Sequence, residues 1–241
     1  MISIGILALH PLVNQIQWGD NTFMHYLWSF LMQKNILPLG VFDHSVRTTY
    51  PVLPIVAIMA LGYALGDWYR LPQEKRKKRF LWLGASMIIA AIALRFIGYG
   101  DPSKVDFSSA DPILLQVLNV TKYPISLPFA LFFVGLALLV LSLTDGRSYS
   151  LKNPLVILGQ TPMFFYIFHL YFLHSGMILY MLACGVMPDF TAHLGGVPPT
   201  FGLTMAQMYG LVAVTILLLL PLCKWYRGIK SSKKYPLLSY L

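Results

Sequence analysis

Apolar residues in this chain run in long unbroken stretches, separated by shorter polar or cationic connectors. Residues 50–69, 80–98, 124–143, 162–184 and 204–223 each approach the ~20 residues an α-helix needs to cross the hydrocarbon core of a bilayer. Residues 154–184 are apolar throughout, and as one helix they would measure about 46 Å, too long for an upright span. Pro162 divides that run into a short lead-in segment and a span. Residues 2–17 are apolar but shorter, with Pro11 inside and Asn14, Gln15 and Gln17 near the end. They read as a sixth span in the form of the back half of a helix, as if further helices preceded it. The expected fold is all-α: a polytopic membrane helix bundle of about six transmembrane helices, forming one membrane domain over 1–241.

The connectors carry their own signals. Phe23–Met32 is aromatic-rich and suits the membrane interface, where Tyr26 and Trp28 are at home. Residues 99–123 form a longer polar connector with Asp101, Asp106 and Asp111, in which Ile113–Val120 is an apolar piece able to rest on the membrane surface. Residues 185–203 read as a Gly/Pro-rich loop. Gly62 and Gly66 make a G-x-x-x-G pattern, expected to let another helix approach closely.

Composition agrees with a bilayer as solvent. The chain is 57% hydrophobic and 11% charged, with a mean hydropathy of +0.65, whereas soluble domains carry about 25% charged residues. The net charge of +9 sits in short runs between apolar stretches, which argues for topology and against nucleic acid. Thirteen of the 18 Lys and Arg residues fall in the 70–79 loop, the 144–153 loop or the tail after residue 223. Alternating spans require the same grouping, so that side is expected to be cytoplasmic, with the C-terminus on it. Lys34, Arg47, Arg95, Lys104 and Lys122 fall on or near the other side. Cys184 and Cys223 are placed near opposite faces and make neither a disulfide framework nor a metal cluster. No metal site is expected.

Several polar residues are more than a lipid span needs. His169 and His174 lie within the 162–184 span, where an ionisable group is costly and faces a bundle interior or a cavity. Their spacing of five puts them on different faces, so they do not share a metal, whereas Tyr166 shares the face of His169. A neutral His bonded to a neighbouring helix is the plainer reading, and a general base the sharper one. Arg95 stands one turn from its span's outer end, where it either snorkels to the interface or holds an anion. Asp43, His44 and Arg47 precede the 50–69 span and read as surface loop residues. Asn119, Thr121, Lys122 and Tyr123 form a dense polar group just before Pro124 opens a span. That group reads either as an interfacial anchor or as a substrate site at a helix mouth. Asn119-Val120-Thr121 also fits a glycosylation sequon. There is no Walker loop, dinucleotide fingerprint, H-E-x-x-H or G-x-S-x-G motif.

Four strings stand in a telling order. They are Tyr50 to Pro54 (YPVLP) running into Ala60 to Gly66 (ALGYALG), then Leu118 to Pro124 (LNVTKYP), Leu158 to His169 (LGQTPMFFYIFH), and Cys223 to Tyr226 (CKWY) with Leu238 to Leu241 (LSYL). Together they resemble the bacterial membrane family related to heparan-α-glucosaminide N-acetyltransferase, from about residue 40 to the end. The resemblance implies a multi-helix membrane protein. In the characterised animal relative, acetyl passes from cytoplasmic acetyl-CoA to a glucosamine amine on the luminal side. The family carries further helices and an early Asp-His motif ahead of this region, and no residue here is matched to that motif. The matching positions are Asn119, Lys122, Tyr123, Gln160 and His169.

The expectation is therefore a membrane-embedded acyltransferase-like protein, in a bacterial inner membrane, using acetyl-CoA and an amino-sugar or glycan acceptor on the outer side. His169 would be the general base, with Asn119, Lys122, Tyr123, Arg95 and Gln160 binding substrate. The contrasting expectation is a non-catalytic component or transporter-like subunit, assembled with a partner, with further copies of itself or with missing N-terminal helices.

Overall fold

A computed structural model describes residues 2–20, 22–38, 45–188 and 202–231. The chain is mostly helical. Its elements are α1 (Ile2–Val13), α2 (Phe23–Leu31), β1 (Asn35–Pro38), β2 (Ser45–Thr48), α3 (Val52–Gly66), α4 (Gln73–Ile97), α5 (Ile113–Leu118), α6 (Leu127–Thr144), α7 (Pro154–Gln160), α8 (Pro162–Ala183) and α9 (Met205–Ser231). A 3-10 turn, Asp67–Arg70, extends α3. Five helical segments among the described residues are long and apolar enough to cross a membrane: Val52–Arg70, Gln73–Ile97, Leu127–Thr144, Pro162–Ala183 and Met205–Ser231. They leave large apolar side chains uncovered, Tyr63 at 90% and Trp82 at 73% exposure among them. An apolar surface of this extent needs lipid, and the chain is an integral membrane protein.

Several boundaries differ from the sequence expectation. α1 is 12 residues long, about 18 Å, and falls short of a full span. The cationic stretch after Arg70 is not a loop. Pro72 opens α4, and Glu74 to Arg79 form its first two turns, because Lys, Arg and Glu are good helix formers. The last helix likewise runs through Lys224, Arg227 and Lys230 to Ser231. A short antiparallel hairpin pairs Asn35 with Thr48 and Pro38 with Ser45, strands that the helical pattern did not predict. Asp43 and His44 lie outside the described residues. Pro162 does mark the break between α7 and α8, with buried Thr161 between them donating to the Ile157 carbonyl at 3.0 Å.

The chain divides into two compact units, Met1–Arg147 and Ser148–Leu241. In the first, α4 and α6 run antiparallel in backbone contact. A Cβ placed on Gly84 would stand 2.7 Å from the Gly135 carbonyl oxygen, and one on Gly135 would stand 2.8 Å from that of Gly84. Only glycine at both positions permits this approach. Phe80, Met87 and Leu138 bury themselves along the seam. Leu7 of α1 and Ala57 of α3 close a second cluster with Leu127 and Ala130. Gly62 and Gly66, by contrast, have no atom of the described residues within 4 Å of a Cβ, so the expected close approach falls on the other glycine pair.

The first unit has two chemically different ends. At one, Arg76 forms a two-pronged bond to Asp145 (Nη2–Oδ1 2.7 Å, Nε–Oδ2 2.8 Å) and lies 4.9 Å from the Tyr69 ring centre. The guanidinium holds the Asp145 carboxyl below its ordinary range. At the other end stand the hairpin, α2, α5 and the connector between α4 and α6. In the second unit Phe164 of α8 stacks on Tyr226 of α9 (4.3 Å, 9°), and Ile157 and Cys223 complete that core. Cys184 and Cys223 are both free thiols, the first exposed and the second buried.

Gly84→Leu is expected to cost about 3 kcal/mol by forcing α4 and α6 apart. Gly62→Leu is expected to be near neutral. The paired comparison is a thermal unfolding curve in detergent, and equal melting temperatures would contradict the backbone contact.

Candidate functional site

The residue that organises the polar end is one the sequence left in a loop. Gly98 (φ 74°) ends α4, and Gly100 (φ 81°) turns the chain back so that its carbonyl receives the Leu127 amide at 3.1 Å. Both take a backbone conformation that favours glycine. Asp101 follows and is buried. Its Oδ1 accepts from the Thr121 hydroxyl (2.7 Å) and the Ser103 amide (2.9 Å). Its Oδ2 accepts from the Ser126 hydroxyl (2.7 Å) and the Thr121 amide (2.9 Å). Ser126 in turn caps α6 by accepting from the Phe129 amide. One carboxylate thus fixes both ends of the segment 121–126.

Arg95 completes the hub. It does not snorkel: the side chain is 2% exposed and turned inward. Nη1 lies 3.6 Å from Asp101 Oδ1 and also donates to the Ser103 carbonyl. Nη2 donates to the Gln116 carbonyl and Nε to that of Val117 at 3.3 Å, both at the end of α5. These partners engage all three guanidinium nitrogens, so the expected anion-binding role is not what its surroundings provide. Arg95 positions α5 and the residues after it.

Asn119, Lys122 and Tyr123 ride on that clamped segment. Asn119 and Lys122 are exposed, and Tyr123 is half-buried. The Tyr123 hydroxyl meets that of Tyr50 at 2.7 Å, with the rings edge to face at 4.9 Å, and the Lys122 ammonium lies 5.0 Å from the Tyr123 ring centre. The hydrogen bond to Tyr50 first, and then Lys122, hold the Tyr123 phenol below its ordinary value. The pair can exchange a proton or present a hydrogen-bonding oxygen beside a cation. Tyr50, quoted above only as part of a string, belongs to this group.

Two clefts open at the same end, and Pro102 and Pro124 line both. The larger, about 760 Å³, is walled by Trp18, Asp20, His25, Gln33, Lys34 and Asn35 among others. The smaller, about 390 Å³, includes His10, Tyr99, Asp101, Lys104 and Ser126. His25 lies with Nδ1 4.0 Å from Asp20 and Nε2 3.4 Å from the Asn35 amide nitrogen, which also donates to Ser29. Gln33 donates to the Asn14 and Ile16 carbonyls at 2.6 and 2.9 Å, fixing the chain beyond α1. Sequence reading missed this cleft. Its one visible signal was the density of side-chain amides between Asn14 and Asn35, with Asp20 among them.

Gln160 and His169 belong to the second unit. Gln160 is exposed at the end of α7. His169 is half-buried on α8, parallel to the Phe165 ring (5.5 Å, 11°) and tilted against Tyr166 (5.5 Å). Its Nδ1 lies 3.1 Å from the Phe165 carbonyl oxygen. A carbonyl only accepts, so Nδ1 is the donor in this contact. His174 is exposed. Among the described residues no group of His, Cys, Asp or Glu is arranged to hold a metal ion. No family model, curated protein or solved structure matches the chain.

Two outcomes test the hub. Asp101→Ala leaves a buried guanidinium without its carboxylate and is expected to cost about 3–5 kcal/mol; a melting temperature within error of wild type would refute the clamp. Tyr50→Phe removes the main stabiliser of the Tyr123 phenolate, so the Tyr123 pKa is expected to rise. Fluorotyrosine placed at 123 and titrated by fluorine NMR reads that shift directly, and an unchanged or lower midpoint would contradict the pairing.

Proposed function

We propose that this chain is a membrane-embedded acyltransferase that moves acetyl from acetyl-CoA to the amine of an amino sugar or glycan on the outer side of a bacterial inner membrane. In this reading α1 joins the five long helices as a sixth membrane segment. The cationic end of the first unit and the C-terminus are cytoplasmic. The charge grouping supports that orientation: the first two turns of α4 hold five Lys and Arg residues, and the last turns of α9 hold Lys224, Arg227 and Lys230. Acetyl-CoA, an anion, would arrive at the cationic side.

The observation that carries the chemistry is the 3.1 Å contact between His169 Nδ1 and the Phe165 carbonyl oxygen. With Nδ1 donating to the Phe165 carbonyl, Nε2 is free to accept a proton. A thioester is already activated, so the protein has only to position the reactants and take one proton. The acceptor nitrogen attacks the thioester carbonyl, the C–N bond forms, the C–S bond breaks, and coenzyme A leaves as its thiolate. The amine proton passes to Nε2. The resemblance of four strings of the sequence to the acetyltransferase family is in keeping with this reading. On the outer side, the polar clefts and the Tyr50–Tyr123–Lys122 group suit a hydroxyl-rich acceptor.

Purified chain in liposomes, incubated with radiolabelled acetyl-CoA and glucosamine, is expected to acetylate the amine. His169→Ala should lose roughly two to four orders of magnitude in rate with folding retained. Absence of turnover in the wild-type chain, together with a protein that co-purifies in fixed ratio, would favour the non-catalytic component instead.

A further inference from the structure

The first turns of α4 carry more charge than its packing uses. Arg76 is turned inward onto Asp145 and Tyr69, and Phe80, one turn later, is buried. At 100° per residue this sets the inward direction, and Lys75, Lys78 and Trp82 fall on the opposite side of the helix. Lys75, Lys78 and Arg79 are all exposed. Among the described residues no carboxylate pairs with any of the three. Arg79 lies over the Trp68 ring, 5.7 Å from its centre, and its one-turn neighbour Lys75 and adjacent Lys78 share this end of the helix. Below them, one and three turns into the apolar part of the helix, stand Trp82 at 73% exposure and Ile89 at 68%.

Three cations without a carboxylate partner, at the polar end of a helix that goes on to expose an aromatic ring and an aliphatic side chain, match one kind of molecule. An anionic phospholipid has a phosphate at the level of the polar boundary and acyl chains continuing into the apolar layer. We infer that Lys75, Lys78 and Arg79 hold the headgroup phosphate of an anionic phospholipid, with its chains lying along Trp82 and Ile89. The inference rests on α4 crossing the bilayer. It does not depend on the proposed acyl transfer. Arg76 has no part in it, because its donors are committed to Asp145 and to the Tyr69 and Leu71 carbonyls.

The test is lipid retention by the full chain in neutral detergent, read by native mass spectrometry during titration with phosphatidylglycerol or phosphatidylcholine. Phosphatidylglycerol should be retained in preference. Each cation removed should weaken retention about fivefold, so K75Q/K78Q/R79Q should weaken it on the order of 100-fold. Should the triple variant fail to fold, K78Q alone should still show its fivefold loss. K224Q/K230Q, which removes two cations from α9, should retain the lipid as wild type does. Equal retention of the two lipids, or full retention by the α4 variants, overturns the inference. So does release of the lipid by coenzyme A at matched concentration, which would assign the three cations to a soluble anion. A chain that carbonate extracts from liposomes would overturn the bilayer reading and the lipid site together, whereas a chain that stays inserted isolates the failure to the lipid site.

Discussion

The polar end of the first unit depends on one buried charge pair. Asp101 and Arg95 are each about 2% exposed, and neither charge is tolerable there alone. Together they distribute their hydrogen bonds over the connector, the end of α5, the segment 121–126 and the cap of α6. A connector at a membrane boundary has few apolar contacts with which to fix its path, so charge and hydrogen bonding do the work that packing does elsewhere. The consequence is that Lys122 and Tyr123, although on a loop, are held where Tyr50 can reach them.

A different constraint holds the apolar half. In lipid there is no hydrophobic drive pressing one helix on another, so association depends on close fit. Gly84 and Gly135 provide it by letting the two backbones touch, and Phe80, Met87 and Leu138 fill the space on either side. The contact fixes which end of α4 faces which end of α6. It brings Arg76 to Asp145 at one end and Gly100 to Leu127 at the other. One glycine seam thus separates a cationic end from a polar, cleft-bearing end.

Much of the helical framework was legible because it follows from local composition. Bilayer-length apolar runs locate the five long helices, and Pro162 locates the break that α7 and α8 share, since proline cannot sit inside a continuous helix without loss. What was not legible depends on distant partners. Arg95 near a helix end looks like a snorkelling cation unless Asp101 is known to fold back onto it. Gly62 and Gly66 carry the recognised spacing, yet the tight contact is made by Gly84 and Gly135, which face each other from separate helices. The hairpin at Asn35 and Thr48 is four residues a side and held by cross-strand pairing, so no periodic signal announces it. The candidate site divides along the same line: Asn119, Lys122 and Tyr123 were visible as a polar string, while Tyr50 and the cleft around His25 were not.

The helical state of the cationic stretch changes what it can do. As a loop, six charges between residues 74 and 79 would form a diffuse cloud that serves topology alone. As helix, the same residues are sorted by angle: Arg76 points into the protein and is neutralised by Asp145, while Lys75 and Lys78 point away with Trp82. The inward cation stabilises the α4–α6 pair, and the outward ones are left for a ligand. A positive connector therefore carries two separable functions, and substitutions on the two faces should be distinguishable: loss at Arg76 should be felt in folding, loss at Lys75 or Lys78 in what the folded protein holds.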